Sequence, residues 1–266
     1  MRVSFFTDEI SDDFDEAVRL GAEAGATSAD IRWKLFGKSV HEITDEDAAQ
    51  IQSILNRYGV TVASIGSPFC KCRHDDPDEI ETHRKIFGRM VELSKMFGTS
   101  IIRGFGFWDP AYRNGCGSTS IEESLETIVP LLRPAAEIAA TEGLKLAFEM
   151  EVDTFIATCR DARLVIDALG GKGVGICWDV NNAAGAGELP LPDGYCHARG
   201  LVEHVHVKPD SEQSIATVAD TKIGYRDVLR TLEDDGYVGA IGIEHWGSRE
   251  LMLSGIRQVR SLIDAL

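Results

Sequence analysis

Residues 144–151, LKLAFEME, run apolar for most of their length and then end in two carboxylates, Glu149 and Glu151. Carboxylates are poor strand formers, so at the end of such a run they read as groups that a buried strand delivers to a surface. Three later runs repeat the pattern. VGICWD ends at Asp179, VEHVHVK carries His206 near its end, and AIGIE ends at Glu244, each followed by a polar or glycine-containing turn. Steps of 30, 27 and 38 residues separate the four, close to the roughly 30 residues of one strand-helix-strand unit. Parallel strands in that order would set four oxygen and nitrogen ligands side by side.

Outward from this stretch the chain alternates short apolar runs with amphipathic helical patterns. Toward the N-terminus, strands are expected at 3–7, 27–32, 60–66 and 100–107. Between them, Ser11 is expected to cap a first helix that stops at Gly25, and Thr44 with Asp47 forms a capping-box signature for a second that stops at Gly59. A third helix spans 76–97. The next helical stretch, 120–142, holds Pro130 and Pro134, which predicts a kink or a late start. Beyond 144–151, Thr158 and Asp161 suggest another capping box, with Gly170 as the stop. The proline- and glycine-rich segment 180–202 has room for a short helix, and 225–235 and 248–265 supply the last two around a strand at 238–244.

Eight strands with helical connections in 266 residues, about 33 per unit, predict an α/β fold, a (β/α)8 TIM barrel that forms one domain over 1–266. An open doubly wound sheet is the second choice, because no strand leads into the glycine fingerprint of a dinucleotide site. In a barrel the carboxyl ends of all strands ring one mouth. Glu149, Asp179, His206 and Glu244 would then converge there from strands five to eight.

Composition narrows the partners. The chain is 44% hydrophobic and 26% charged, with a net charge of −16. That field opposes a nucleic-acid backbone. No apolar run reaches the roughly 20 residues of a membrane span, and MRVSFFTDEI lacks a signal peptide's apolar core, so the expected compartment is the cytoplasm. Six cysteines without a CxxC pair read as reduced thiols of a cytosolic protein. Three carboxylates and one imidazole suit one divalent ion, manganese or magnesium first, with cobalt or zinc also compatible.

FEM around Glu149, CWDVNN around Asp179, HVHVK around His206 and DGYVGAIGIEHW around Glu244 resemble the sugar phosphate isomerase/epimerase family of xylose isomerase-like barrels, a group that includes D-tagatose 3-epimerase. FTDEIS, ADIRW, LFGKSV and SIGSPFCK add to the resemblance in the N-terminal half, so it spans essentially the whole chain. It implies a single divalent ion, with manganese favoured, on Glu149, Asp179, His206 and Glu244. Glu149 and Glu244 would also serve as acid and base on opposite faces of a ketose, through a metal-stabilised enediolate. Epimerases of the family often carry histidine three positions after the aspartate, where this chain has Asn182.

The expected reaction is therefore isomerisation or epimerisation of a small sugar or keto-polyol. An inosose dehydratase-like lyase would share the ion and the first proton abstraction, and an endonuclease IV-like repair enzyme would need more histidines and a basic groove. For substrate contacts the sequence offers Lys208, two residues beyond His206, together with Asn182, Trp108, Lys71 and Glu151, the last placed on the same face as Glu149. Glu9, Arg32 and Ser67 are weaker candidates at strand ends. Trp33, Trp108, Trp178 and Trp246 follow alternate strands and would be core plugs or an aromatic wall. The polar segment Pro209 to Lys222 is long for a barrel connection and is expected to form a lid. Oligomeric state is open, and a homo-oligomer is compatible with the sequence.

Overall fold

The computed structural model describes residues 1–208 and 223–266. The segment expected as a lid, 209–222, lies outside them. In chain order the strands are β1 (Arg2–Phe5), β2 (Ser28–Ile31), β3 (Thr61–Ile65), β4 (Ile101–Gly104), β5 (Lys145–Glu149), β6 (Val174–Asp179), β7 (Val202–Val207) and β8 (Ala240–Ile243). The α-helices are α1 (Phe14–Glu23), α2 (Asp45–Tyr58), α3 (Pro77–Phe97), α4 (Pro110–Arg113), α5 (Ile121–Glu142), α6 (Cys159–Leu169), α7 (Val180–Gly185), α8 (Tyr195–Ala198), α9 (Tyr225–Asp234) and α10 (Arg249–Asp264). The sheet runs in the order β1-β8-β7-β6-β5-β4-β3-β2, the topology of a (β/α)8 TIM barrel. Among the described residues, no helix is long and apolar enough to cross a membrane.

The chain groups into two compact units, Met1–Gly66 with Leu93–Thr99 and His204–Leu266, and Ser67–Glu92 with Ser100–Glu203. In the first, β7 pairs with β8, β8 with β1, and β2 with β3, all parallel. The register skips one residue of β3, so that Asp30 lies opposite Ser64, whose hydroxyl donates to the Asp30 carboxylate at 2.6 Å. His206 lies opposite Gly242. A Cβ on Gly242 would come within 2.7 Å of Asp30 Oδ2 and 3.1 Å of His206 Cδ2, so glycine there makes room for a buried polar cluster.

In the second unit β4, β5 and β6 pair in parallel. Their residues are almost wholly buried, as expected of strands covered on both faces. The Thr44/Asp47 and Thr158/Asp161 capping boxes form, and Gly59 and Gly170 close their helices in the left-handed conformation. All six cysteines are free thiols.

Three expectations change. Seven of the strands end one to three residues earlier than the apolar runs suggest, because the last residues of those runs turn away as loops, while β6 ends at Asp179 as expected. The first helix is capped by Asp13, while the Ser11 hydroxyl instead donates to Glu16. Helix α5 starts at Ile121 and continues through both prolines, with no late start. Pro130 and Pro134, four residues apart, share the exposed face, so the carbonyls that lose their partners open to water.

Candidate active site

Each unit brings together two of the four expected ligands. In the second, Glu149 ends β5 and Asp179 ends β6, on neighbouring strands. Both are buried. Asp179 is also the N-cap of α7, its Oδ1 accepting the Asn182 N–H at 2.8 Å. The Asn182 side-chain amide donates to the carbonyl of Met150 at 2.9 Å, which ties α7 to the end of β5. Glu149 pairs with the guanidinium of Arg103, a buried residue of β4.

The loops after β3 and β4 hydrogen bond to each other through Phe69, Cys70 and Cys72. Cys70 and Phe107 take left-handed backbone conformations there, a strain that such strand-end loops carry when they must present particular side chains. Lys71 is one of those presented. Its ammonium lies 2.9 Å from Glu151 and 4.7 Å from the centre of the Phe105 ring. β5 ends at Glu149, so Glu151 does not continue its face as the sequence suggested. It sits in the following turn. Trp108 packs under the guanidinium of Arg113 at 4.2 Å.

In the first unit, His206 lies near the end of β7 and Glu244 directly follows β8. The ammonium of Lys208 reaches Glu244 Oε2 at 2.9 Å, and His206 Nδ1 lies 3.9 Å from the same oxygen. Lys208 therefore points toward Glu244 as its spacing predicted. Its backbone is fixed by the Tyr225 hydroxyl, which accepts from the Lys208 N–H and donates to the Lys208 carbonyl. Arg32, the first residue after β2, bridges Glu244, Asp8 and Glu9 at 2.5, 2.8 and 2.9 Å. Its guanidinium also lies 4.2 Å from the Phe6 ring and 4.7 Å from that of Trp246.

Three carboxylates around one guanidinium crowd negative charge. Burial, and next the charge of Glu244, push Glu9 up to about 7 against the opposing pull of Arg32. Arg32 itself is held firmly protonated: burial opposes its charge, but Glu244, Asp8 and Glu9 outweigh it. Behind His206, Asp30 and His204 Nε2 lie 3.0 Å apart and both are buried. Burial disfavours the Asp30 charge, yet the neighbouring His204 holds its carboxyl well below the usual range.

Buried Asp, Glu and His side chains thus form groups able to hold a metal ion. In the first unit Asp30, His204 and His206 make one, their ligand atoms lying within 4.8 Å of one another, while Glu149 and Asp179 are a buried carboxylate pair at neighbouring strand ends of the second. The sequence reading missed Arg103, Asp8, Asp30 and His204. Of the tryptophans, Trp178 is a core plug, whereas Trp33 and Trp246 are 49% and 62% exposed, so neither description suits all four. Ser67 is buried, its hydroxyl accepting the Phe69 N–H.

No curated protein matches the chain. Among solved structures, D-psicose 3-epimerase from Clostridium cellulolyticum H10, crystallised with D-tagatose, is similar over 99% of each chain, with a TM-score of 0.77 at 14% identity. The apo 3-keto-D-glucoside 4-epimerase from E. coli is similar over 100% of each chain, with a TM-score of 0.78 at 18% identity. The probable 3-DHS dehydratase of petrobactin synthesis from Bacillus anthracis is similar over 98% of this chain and 99% of its own, with a TM-score of 0.76 at 14% identity. At these identities the likeness speaks for the fold. The sequence model of the xylose isomerase-like TIM barrel family matches residues 14–265, nearly the whole length, and the chain belongs to that family.

Proposed function

We propose that the protein is a divalent-metal-dependent isomerase or epimerase of a small sugar or keto-polyol. Glu149, Asp179, His206 and Glu244 hold the ion, and Glu149 and Glu244 are its two acid/base groups. The observation that carries this reading is the donor set: three carboxylates and one imidazole, all buried, Glu149 and Asp179 at the ends of β5 and β6 and His206 and Glu244 at or beside the ends of β7 and β8. Oxygen donors with one imidazole suit Mn2+ first, and Mg2+, Co2+ or Zn2+ also fit. When bound, such a cation polarises a carbonyl and its neighbouring hydroxyl, makes the shared α-proton acidic and stabilises the enediolate.

The chain's own residues hold and move the proton. A carbon-bound proton needs a base within hydrogen-bond reach, and a carboxylate at each of two strand ends supplies one to remove it and one to return it. Arg103 beside Glu149, and Arg32 with Lys208 beside Glu244, hold the two carboxylates in place through charged hydrogen bonds. Lys208 would hold a substrate oxygen, Asn182, Lys71 and Glu151 its remaining hydroxyls, and Trp108 its carbon face. The net charge of −16 favours a small neutral substrate over a nucleic acid.

Incubation with Mn2+ and a panel of ketoses in deuterated water tests the proposal. Deuterium should enter at the carbon beside the carbonyl of the true substrate. Glu149→Gln and Glu244→Gln should each lower interconversion by about 10²- to 10⁴-fold, the usual worth of a positioned acid or base. Wild-type turnover in both variants with metal bound would rule out the carboxylate pair. A dehydrated product would replace the epimerase with a lyase that shares the same first step.

A further inference from the structure

Helices α9 and α10 of the first unit border an open surface cavity of about 390 Å3, within the range of small-molecule sites. None of its lining residues belongs to the candidate active site. Arg226 and Arg230 face it from α9, one turn apart, and Arg257 faces it from α10. Ser254, Gln258 and Ser261 share the face of α10 that carries Arg257, at helical spacing. Leu262 and Leu266 add an apolar floor. Among the lining residues there is no carboxylate side chain.

That lining is unusual for this chain, in which 43 acidic residues outnumber 27 basic ones. Several other exposed arginines pair with carboxylates, Arg57 with Asp15, Arg113 with Asp153, Arg160 with Glu122 and Arg260 with Asp264, while Arg133 donates to the Ala168 carbonyl. Among the described residues, no ion pair joins Arg226, Arg230 or Arg257 to a carboxylate. Three guanidinium groups that repel one another around a recess, with hydroxyl and amide groups between them, are matched by an oxyanion. The planar fork of arginine binds phosphate and carboxylate alike through paired N–H donors.

We propose that the cavity between α9 and α10 is a second ligand site, which takes a small metabolite carrying a multivalent oxyanion, phosphate or polycarboxylate, on Arg226, Arg230 and Arg257, with its carbon body against Leu262 and Leu266. The probes are phenyl phosphate and phthalate, which carry the two oxyanion types on the same apolar ring. Calorimetric titration of the metal-loaded protein should show one molecule of at least one probe bound per chain. Affinity should fall by about tenfold for Arg257→Gln and further for Arg226→Ala combined with Arg257→Gln, as loss of charged hydrogen bonds implies. Arg260→Ala, on the same helix but paired with Asp264, should bind as the wild type does. These arginines are exposed, and unchanged thermal unfolding would show that the variants fold. Failure of both probes to bind, equal affinity in the double variant, or an equal loss in Arg260→Ala would overturn the proposal. So would a concentration-dependent dimer that Arg257→Glu dissolves while neither probe binds, since the cavity would then serve a second copy of the chain. The readout is binding alone, so the result stands apart from the reaction proposed for the active site.

Discussion

Two arginines hold the two glutamates proposed as acid and base, and they do so in different surroundings. Arg103 and Glu149 are 6% and 2% exposed, and Glu149 is the one carboxylate paired with Arg103 among the described residues. Arg32 shares its charge among Glu244, Asp8 and Glu9, and Glu244 also has Lys208. Removing Glu149 takes from Arg103 its one carboxylate and strands the guanidinium charge in a low dielectric, which is costly. In a network, the remaining partners take up the charge. The second unit should therefore depend on Glu149 for stability far more than the first depends on Glu244.

The largest expected effect follows from that difference. Glu149→Gln should destabilise the metal-free protein by about 3–5 kcal/mol, the usual cost of breaking a buried ion pair, whereas Glu244→Gln should cost about 1 kcal/mol, like a single hydrogen bond. Urea unfolding of both variants measures it, and replacing Arg103 by Met in the Glu149→Gln background should recover much of the loss. Equal destabilisation by the two substitutions would break the comparison.

How legible this was from sequence depends on where each residue lies in its run. Glu149, Asp179 and Glu244 stand out because each ends an apolar stretch, and His206 because it alternates with valines. Arg103 lies inside SIIRGFGF, where one charge is hidden among residues that all read as strand. A Cβ on the neighbouring Gly104 would lie 2.7 Å from Leu146 and 3.2 Å from Phe69, so that glycine reports close core packing and gave no sign of the charge beside it. Asp30 was obscured by the weakness of β2 as an apolar run, and Asp8 by its resemblance to an ordinary helix-start acid. The eight-strand order was readable because periodicity and helix stops repeat along the whole chain. Strand ends were not, since the apolar residues continue into loops that pack against the same core.

A smaller effect separates the two regions by pH. Glu9 is raised from its ordinary 4.5 to about 7 in the folded chain, so between those values the native state binds more protons than the unfolded one. Stability should then fall as pH rises from about 4.5 to about 7 and level off above. Glu9→Gln should flatten that part of the curve in the metal-free protein, read by urea unfolding across the range. An unchanged slope would remove the crowded-carboxylate description of the first unit.

The smallest effect is expected at Lys71 and Glu151, a pair 36% and 23% exposed. Partly solvated pairs contribute about 0–1 kcal/mol, so Lys71→Ala should leave stability within about 1 kcal/mol of the wild type. If Lys71 contacts substrate, KM should rise while thermal unfolding stays put. A large stability loss with unchanged KM would make the pair part of the scaffold.

The central claim is that Glu149, Asp179, His206 and Glu244 hold one divalent ion, and elemental analysis of bound metal tests it most directly. After dialysis against Mn2+ and removal of excess, the wild type should retain one equivalent per chain. Asp179→Ala and His206→Ala, each confirmed as folded by circular dichroism, should retain almost none, because each removes a ligand. Full occupancy in both folded variants would contradict the assignment.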